Sequence, residues 1–516
     1  MKLKFLTLTA LLICTTSLLI ANNVDVTNVS LSDKNTTEDY QLINFNISWD
    51  NSWNINGGSQ NHDAAWIFVK WRDKTETTWH HATLHYVNGT GSGDGHTEPA
   101  NCNIKSSNDT GSGGAHGVFI HRTDLGQGTV SYTGVQLRWD YGSDGLADGD
   151  PVEVYVMAIE MVYVPQSSFY VGSGGTEFGA FYTHPTTTNP YQITSEAAIT
   201  VGTAAGNLYY AGIGFSGDQL GPIPAAFPKG YNDFYCMKYE ITQSQYVAFL
   251  NMLTYAQQVT RTAVLPTSAA GTAAMTTGTL FRNGIDIMTP GVASTTPAVY
   301  ACNLDNDGGY NEANDGQSIA CNWLSWADVA AYLAWAALRP MTELEFEKAG
   351  RGNKVAVANE YAWGNTTITG ATSITNSGFN NEIAQVGSNC TYNSAPGVQG
   401  PMRSGTFAQA ATTRSSSGAS YYGIMELSGN LLERPVTVGN PTGRLFTGLH
   451  GNGALTGSGN ANTAAWPDID AIGVGVRGGS WISVVIDLRL SHREAAAYTN
   501  VNRSINDGGR GCRLAP

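Results

Sequence analysis

The sequence predicts an α+β protein in which an all-β N-terminal part of about 130 residues precedes a mixed part with few helices and long loops. Three observations carry this reading. Apolar and polar residues alternate through the first third of the chain, helix-capping patterns begin only after residue 158, and glycine is abundant, at 60 of 516 residues. Only 13% of residues are charged, roughly half the usual share for a globular protein. With 12 Trp, 24 Tyr and 42% hydrophobic residues the chain buries substantial cores, which excludes global disorder. The 27 Lys and Arg against 41 Asp and Glu leave a net charge of −14, which argues against a nucleic-acid partner.

Lys2 and Lys4 precede an uncharged run from Phe5 to Ile20, followed by Ala21 and Asn22. This is the order of a secretory signal peptide over residues 1–21. The run falls short of the roughly 20 apolar residues that span a bilayer, and no later segment spans one, so the mature chain is expected to be secreted, extracellular or at the cell surface. Cys102, Cys236, Cys302, Cys321, Cys390 and Cys512 remain, an even number that permits disulfides in an exported protein. Cys302 and Cys321 bracket a Gly/Asn/Asp-rich loop, and a bridge closing such a loop contributes about 3 kcal/mol. The other pairings stay open.

Residues 22–157 read as a β-sandwich. Ile43, Phe45, Ile47 and Trp49 alternate with polar neighbours, as do Val152, Val154 and Val156, the period of a half-buried strand. Ala65 to Val69 is a continuous apolar run suited to a central strand. Within residues 158–516, Thr242 with Gln245, Ser325 with Asp328 and Thr342 with Glu345 form capping boxes that open three helices, the second expected to run to Pro340.

The second region resembles the formylglycine-generating, sulfatase-modifying-factor enzyme family, whose fold is a variant of the C-type-lectin fold. The resemblance rests on several segments in the family's order: Met161–Pro165, Phe234–Asn251, Arg339–Gly352, Tyr361–Gly364, Gly423–Glu433, Val476–Trp481 and Gly511–Ala515. In the family, two cysteines shortly after an Arg-Gly-Gly-Ser motif bind copper and oxidise a substrate cysteine with oxygen, soft sulfur being the ligand that monovalent copper favours. The matching stretch Ser480–Arg489 contains no Cys; Ser483 and Leu488 stand at the two positions, and Leu432 replaces the family's active-site Trp. The resemblance therefore implies the family's architecture without its oxidase chemistry: no catalytic residues and no copper.

The family also binds calcium in the turn matching Glu426, Gly429, Leu431 and Glu433, through two side chains and two carbonyls, oxygen ligands suited to a hard cation. Here Glu426 replaces a shorter Asn or Asp, and the alternative is that Glu433 pairs with an arginine such as Arg477 or Arg489. A second calcium candidate is Asn303, Asp305 and Asp307 before Gly308, with Glu312 two residues short of the twelfth position, held by Asn314. An Asx-rich turn is the alternative there. His80, His81 and His85, the tryptophans from Trp49 to Trp79, and the arginines from Arg477 to Arg513 read as a strand surface, core packing and a buried ion-pair frame. The expected function is a secreted, non-catalytic scaffold for binding or self-assembly, an adhesin or fibre subunit, whose partner is a cell-surface glycan, another protein or copies of itself. The alternative is an oxygen- and metal-dependent modifying oxidoreductase with a site relocated near Cys236, Cys390 or Cys512.

Overall fold

The computed structural model describes residues 24–409 and 412–516; the expected signal peptide lies outside them. Ten strands occupy the first third: β1 (Asp25–Asn35), β2 (Tyr40–Asn54), β3 (Asp63–Asp73), β4 (His80–His81), β5 (Leu84–His85), β6 (Cys102–Ser106), β7 (Gly114–Ala115), β8 (Val118–Arg122), β9 (Gly126–Trp139) and β10 (Val152–Val164). One sheet has the order β1-β2-β9-β5-β7. The other runs β10-β3-β8-β6, with β4 beside β3, and continues past β10 into strands Phe234–Met237, Gly511–Leu514 and Arg339–Pro340. All these pairings are antiparallel.

The two sheets enclose one core. Ile43, Phe45, Ile47 and Trp49 of β2 point into it, as their alternation requires, and meet Ala65, Ile67, Val69 and Trp71 of β3. The opposite residues of β3, Ala64, Trp66 and Phe68, enter a second core together with Met157, Ile159 and Met161 of β10 and the helices beyond. That is why β3 reads as a continuous apolar run: both of its faces are covered. The change of texture near residue 158 falls inside β10, and the same strand serves both regions.

Among the described residues five helices follow: α1 (Gln243–Leu250), α2 (Tyr255–Arg261), α3 (Trp326–Trp335), α4 (Glu343–Arg351) and α5 (Pro441–Arg444). The three capping boxes read from the sequence are formed at Thr242, Ser325 and Thr342, and a fourth, unexpected one opens α2 at Thr254 with Gln257. Helix α3 stops short of Pro340 because Ala337 turns left-handed, at φ 54°, which frees Arg339–Pro340 to pair with Gly511–Leu514. Its last carbonyls are met from β3, where Trp66 Nε1 donates to Ala336 O at 2.9 Å and the buried Lys70 Nζ donates to Trp335 O at 2.7 Å. Beyond α4 the chain consists of long ordered loops with little regular structure. No helix among the described residues is long and apolar enough to cross a membrane.

Candidate functional site

Helix α4 holds the loops. Glu343 and Glu347 lie one turn apart on it, both fully buried. Arg477 reaches Glu343 at 3.1 Å and Glu347 at 3.0 Å, while Arg493 reaches Glu343 at 2.6 Å. Burial alone would raise the Glu343 carboxyl, but Arg493 and Arg477 outweigh it and hold it below the ordinary range. One carboxylate therefore fastens both ends of the segment 477–493. Arg351 continues the network to Glu347 and to Glu360, at 3.0 and 2.5 Å, and Arg510, Arg513 and Arg503 pair with Glu433, Asp109 and Asp328. Arg489 meets an amide instead, Asn359 Oδ1 at 3.0 Å.

Within this frame the segment bounds a cavity of about 430 Å³, lined by Leu432, Ser483, Asp487, His492, Glu494 and Tyr498 among others. Ser483 Oγ accepts from Ser480 N at 3.1 Å and lies 3.2 Å from Ser480 Oγ. Leu488 is turned away; it is fully buried behind the wall, packed with Tyr361, Trp363 and Cys390. No cysteine among the described residues lines the cavity. At its rim the rings of Phe215 and Tyr498, both exposed, stand 4.8 Å apart, and the amide residues Asn500 and Asn506 complete the wall.

All six described cysteines are free thiols and all are buried. Cys236 and Cys512 face one another on neighbouring strands, and burial first, then the bond from Cys236, pushes the Cys512 thiol well up. Burial also pushes the Cys390 thiol well up. Thiols held protonated and shielded in this way are poor metal ligands and poor nucleophiles. Cys302 and Cys321, the pair expected to bridge, lie in one core, and burial raises both.

The turn 426–433 gathers buried carboxylates. Glu426 Oε1 accepts from Gly405 N at 2.8 Å, while its Oε2 has no partner. Glu433 Oε1 accepts from Arg510, so Glu433 does pair with an arginine, though not with the Arg477 or Arg489 offered as examples, and its Oε2 is likewise unpartnered. The backbone of Glu433 does pair with Arg477, in both directions at 3.0 Å. A third carboxylate, Glu240, accepts from Leu431 N at 2.9 Å and from Asn430 at 2.5 Å. Burial drives the Glu426 carboxyl up to about 7 against the pull of Arg510, and it raises Glu433 and Glu240 as well. Two unpartnered carboxylate oxygens suit a hard cation in kind, and Arg510 supplies part of the positive charge in its place.

The second expected calcium loop divides. Asn303 is buried, and its amide donates to Asp286 at 3.1 Å. Asp305, Asp307 and Glu312 are exposed, with carboxylate oxygens within 4.8 Å of one another; Asn314 donates to Asp305, and Gly309 N donates to Asp307 at 2.8 Å. Glu312 thus joins Asp305 and Asp307, while the Asn303 side-chain oxygen is buried without a partner. The histidines do not converge: His80 stacks on Trp71, His81 lies against Phe68, and His85 binds Asp140.

A model of the sulfatase-modifying factor enzyme 1-like domain matches residues 185–513. The chain belongs to this family. Among solved structures it is similar to Treponema denticola variable protein 1, with 12% identity and a TM-score of 0.30, over 69% of this chain and 96% of that one. No curated protein matches it. Of the two positions that the sequence reading set against the family's cysteines, Ser483 lines the cavity and Leu488 lies in the core. Sequence reading missed Asp487, His492 and Glu494, which meet in this cavity. Their signal was a single His between two carboxylates just after the Arg-Gly-Gly-Ser motif. It also missed Glu240, whose partners Asn430 and Leu431 lie in a distant loop.

Proposed function

We propose that this chain is a secreted, non-catalytic member of the family, and that the cavity beneath Ser480 binds a cell-surface glycan or protein rather than oxidising a peptide. The observation that carries this reading is the fate of the two cysteine positions: a serine hydrogen-bonded to Ser480 and a leucine sunk into a core. Neither offers the soft sulfur that monovalent copper needs. The rim supports binding, because paired aromatic rings beside amides are the chemistry of a surface that stacks on and hydrogen-bonds to a polar ligand. Rigid loops on a buried ion-pair frame suit such a platform, and also self-assembly into an extracellular fibre. Calcium in the turn 426–433 would act structurally, through Glu426, Glu433 and the carbonyls of Gly429 and Leu431.

The test uses purified mature protein. We expect no copper-dependent oxidation of peptide cysteines, together with binding on a glycan or cell-surface array that Tyr498→Ala and Phe215→Ala weaken; electron micrographs report filaments directly. Turnover of a cysteine peptide with copper and oxygen would overturn the reading in favour of a relocated oxidase site.

A further inference from the structure

We propose that Asp487, His492 and Glu494 form a binding site for a first-row divalent transition metal, with zinc as the reference ion, in the wall of the cavity. The inference deepens the binding role proposed above, since it places a cation where the ligand would sit.

His492 is only 8% exposed, yet its Nε2 has no hydrogen-bond partner. A buried imidazole nitrogen left unpaired costs free energy unless something occupies it. Two carboxylate oxygens face it, Asp487 Oδ1 at 3.8 Å and Glu494 Oε2 at 3.7 Å. Both separations are too long for hydrogen bonds. They are close to the spacing of two ligands on one ion, since atoms about 2.0–2.2 Å from a zinc stand roughly 3.4 Å apart at tetrahedral angles. The three ligand atoms lie within 4.8 Å of one another.

The three residues are held from outside. Arg493, next to His492, is fixed on Glu343. The carbonyl of Glu494 accepts from Phe215 N at 2.7 Å, and this close approach needs Gly214, at φ 58°, where a Cβ would come within 2.7 Å of the Glu494 side chain. Asp487 N closes a turn onto Val484 O at 3.0 Å. One imidazole with two carboxylates suits zinc, cobalt, nickel or manganese better than copper(I), which takes sulfur, or calcium, which takes six to eight oxygens. Three protein ligands leave a coordination position for a hydroxyl or carboxylate of a bound molecule.

The experiment titrates untagged, chelator-stripped mature protein with Zn²⁺ by calorimetry and with Co²⁺ by visible absorption, alongside Asp487→Asn, Glu494→Gln and His492→Gln. The two carboxylate variants change part-exposed side chains at constant shape, so circular dichroism should be unaltered. We expect one metal equivalent in the wild type that each variant weakens by about ten-fold or more, together with a Co²⁺ spectrum lost in the Asp487→Asn/Glu494→Gln double variant. A double variant that binds metal with the wild-type stoichiometry and affinity would overturn the site, as would a wild type that takes up no zinc, or that holds calcium equally well at this site. Array binding measured with and without Zn²⁺ separates the two ideas: ligand binding without metal uptake sinks this inference alone, and metal uptake without any ligand sinks the binding role alone.

Discussion

Replacing Glu426 by Gln tests the reading of the carboxylate turn. The Glu426 carboxyl titrates at 4.5 in an unfolded chain and at about 7 in the fold, where burial outweighs the attraction of Arg510. Between those values the folded protein keeps a proton that the unfolded chain has released. The stabilisation is full below pH 4.5 and is lost as the pH rises to about 7. A shift of this size corresponds to about 3 kcal/mol at 1.36 kcal/mol per unit. Glutamine keeps an acceptor for Gly405 N and never ionises. In urea titrations with chelator, the variant should therefore be about 3 kcal/mol more stable than the wild type at pH 8, with the gap closing towards pH 4.5. Calcium bound at the turn would hold Glu426 ionised, so adding it should narrow the gap at pH 8 by stabilising only the wild type. A variant no more stable than the wild type at pH 8 in chelator would show that the buried carboxylate carries no such penalty, and the argument from burial would be wrong.

Truncating Trp66 to Ala should cost about 3–5 kcal/mol and remove a cap from α3; because β3 belongs to two cores, intrinsic fluorescence and circular dichroism should report one shared transition. Glu343→Gln, which leaves the buried Arg493 without its carboxylate and Arg477 with Glu347 alone, should cost about 3–5 kcal/mol, and limited proteolysis should then cut within 477–493, where the wild type resists. Thiol reagents should leave the native protein unmodified, since all six described cysteines are buried. In denaturant without reductant all six should react, whereas four reactive thiols and a linked Cys302–Cys321 peptide would show that the pair closes on export.

The sequence disclosed what is local. A capping box is a contact between residues three apart, so Thr242, Ser325 and Thr342 announced their helices, and the alternation in β2 announced the face it buries. Helix α2 escaped notice although its box is equally local, because Gln257, Gln258 and Thr260 leave no apolar stripe to mark it. What lies on the second face of β3 was not legible, since Trp66 finds Ala336 from 270 residues away. The site divides in the same way. That Ser480–Arg489 contains no cysteine could be read by counting from a motif, whereas the meeting of Asp487, His492 and Glu494 depends on Arg477 and Arg493 closing on one carboxylate of α4. Spacing placed Asn303, Asp305 and Asp307 in one loop but did not disclose that Asn303 is buried against Asp286 while Asp305 and Asp307 face outward with Glu312.

The sharing of β3 and β10 has a mechanical result. Eleven residue pairs join these strands, and β10 then carries straight on into the sheet that backs the loop-bearing half. A load on the loop-bearing half is therefore passed to the N-terminal sheets through a shared ladder of backbone hydrogen bonds and not through a linker.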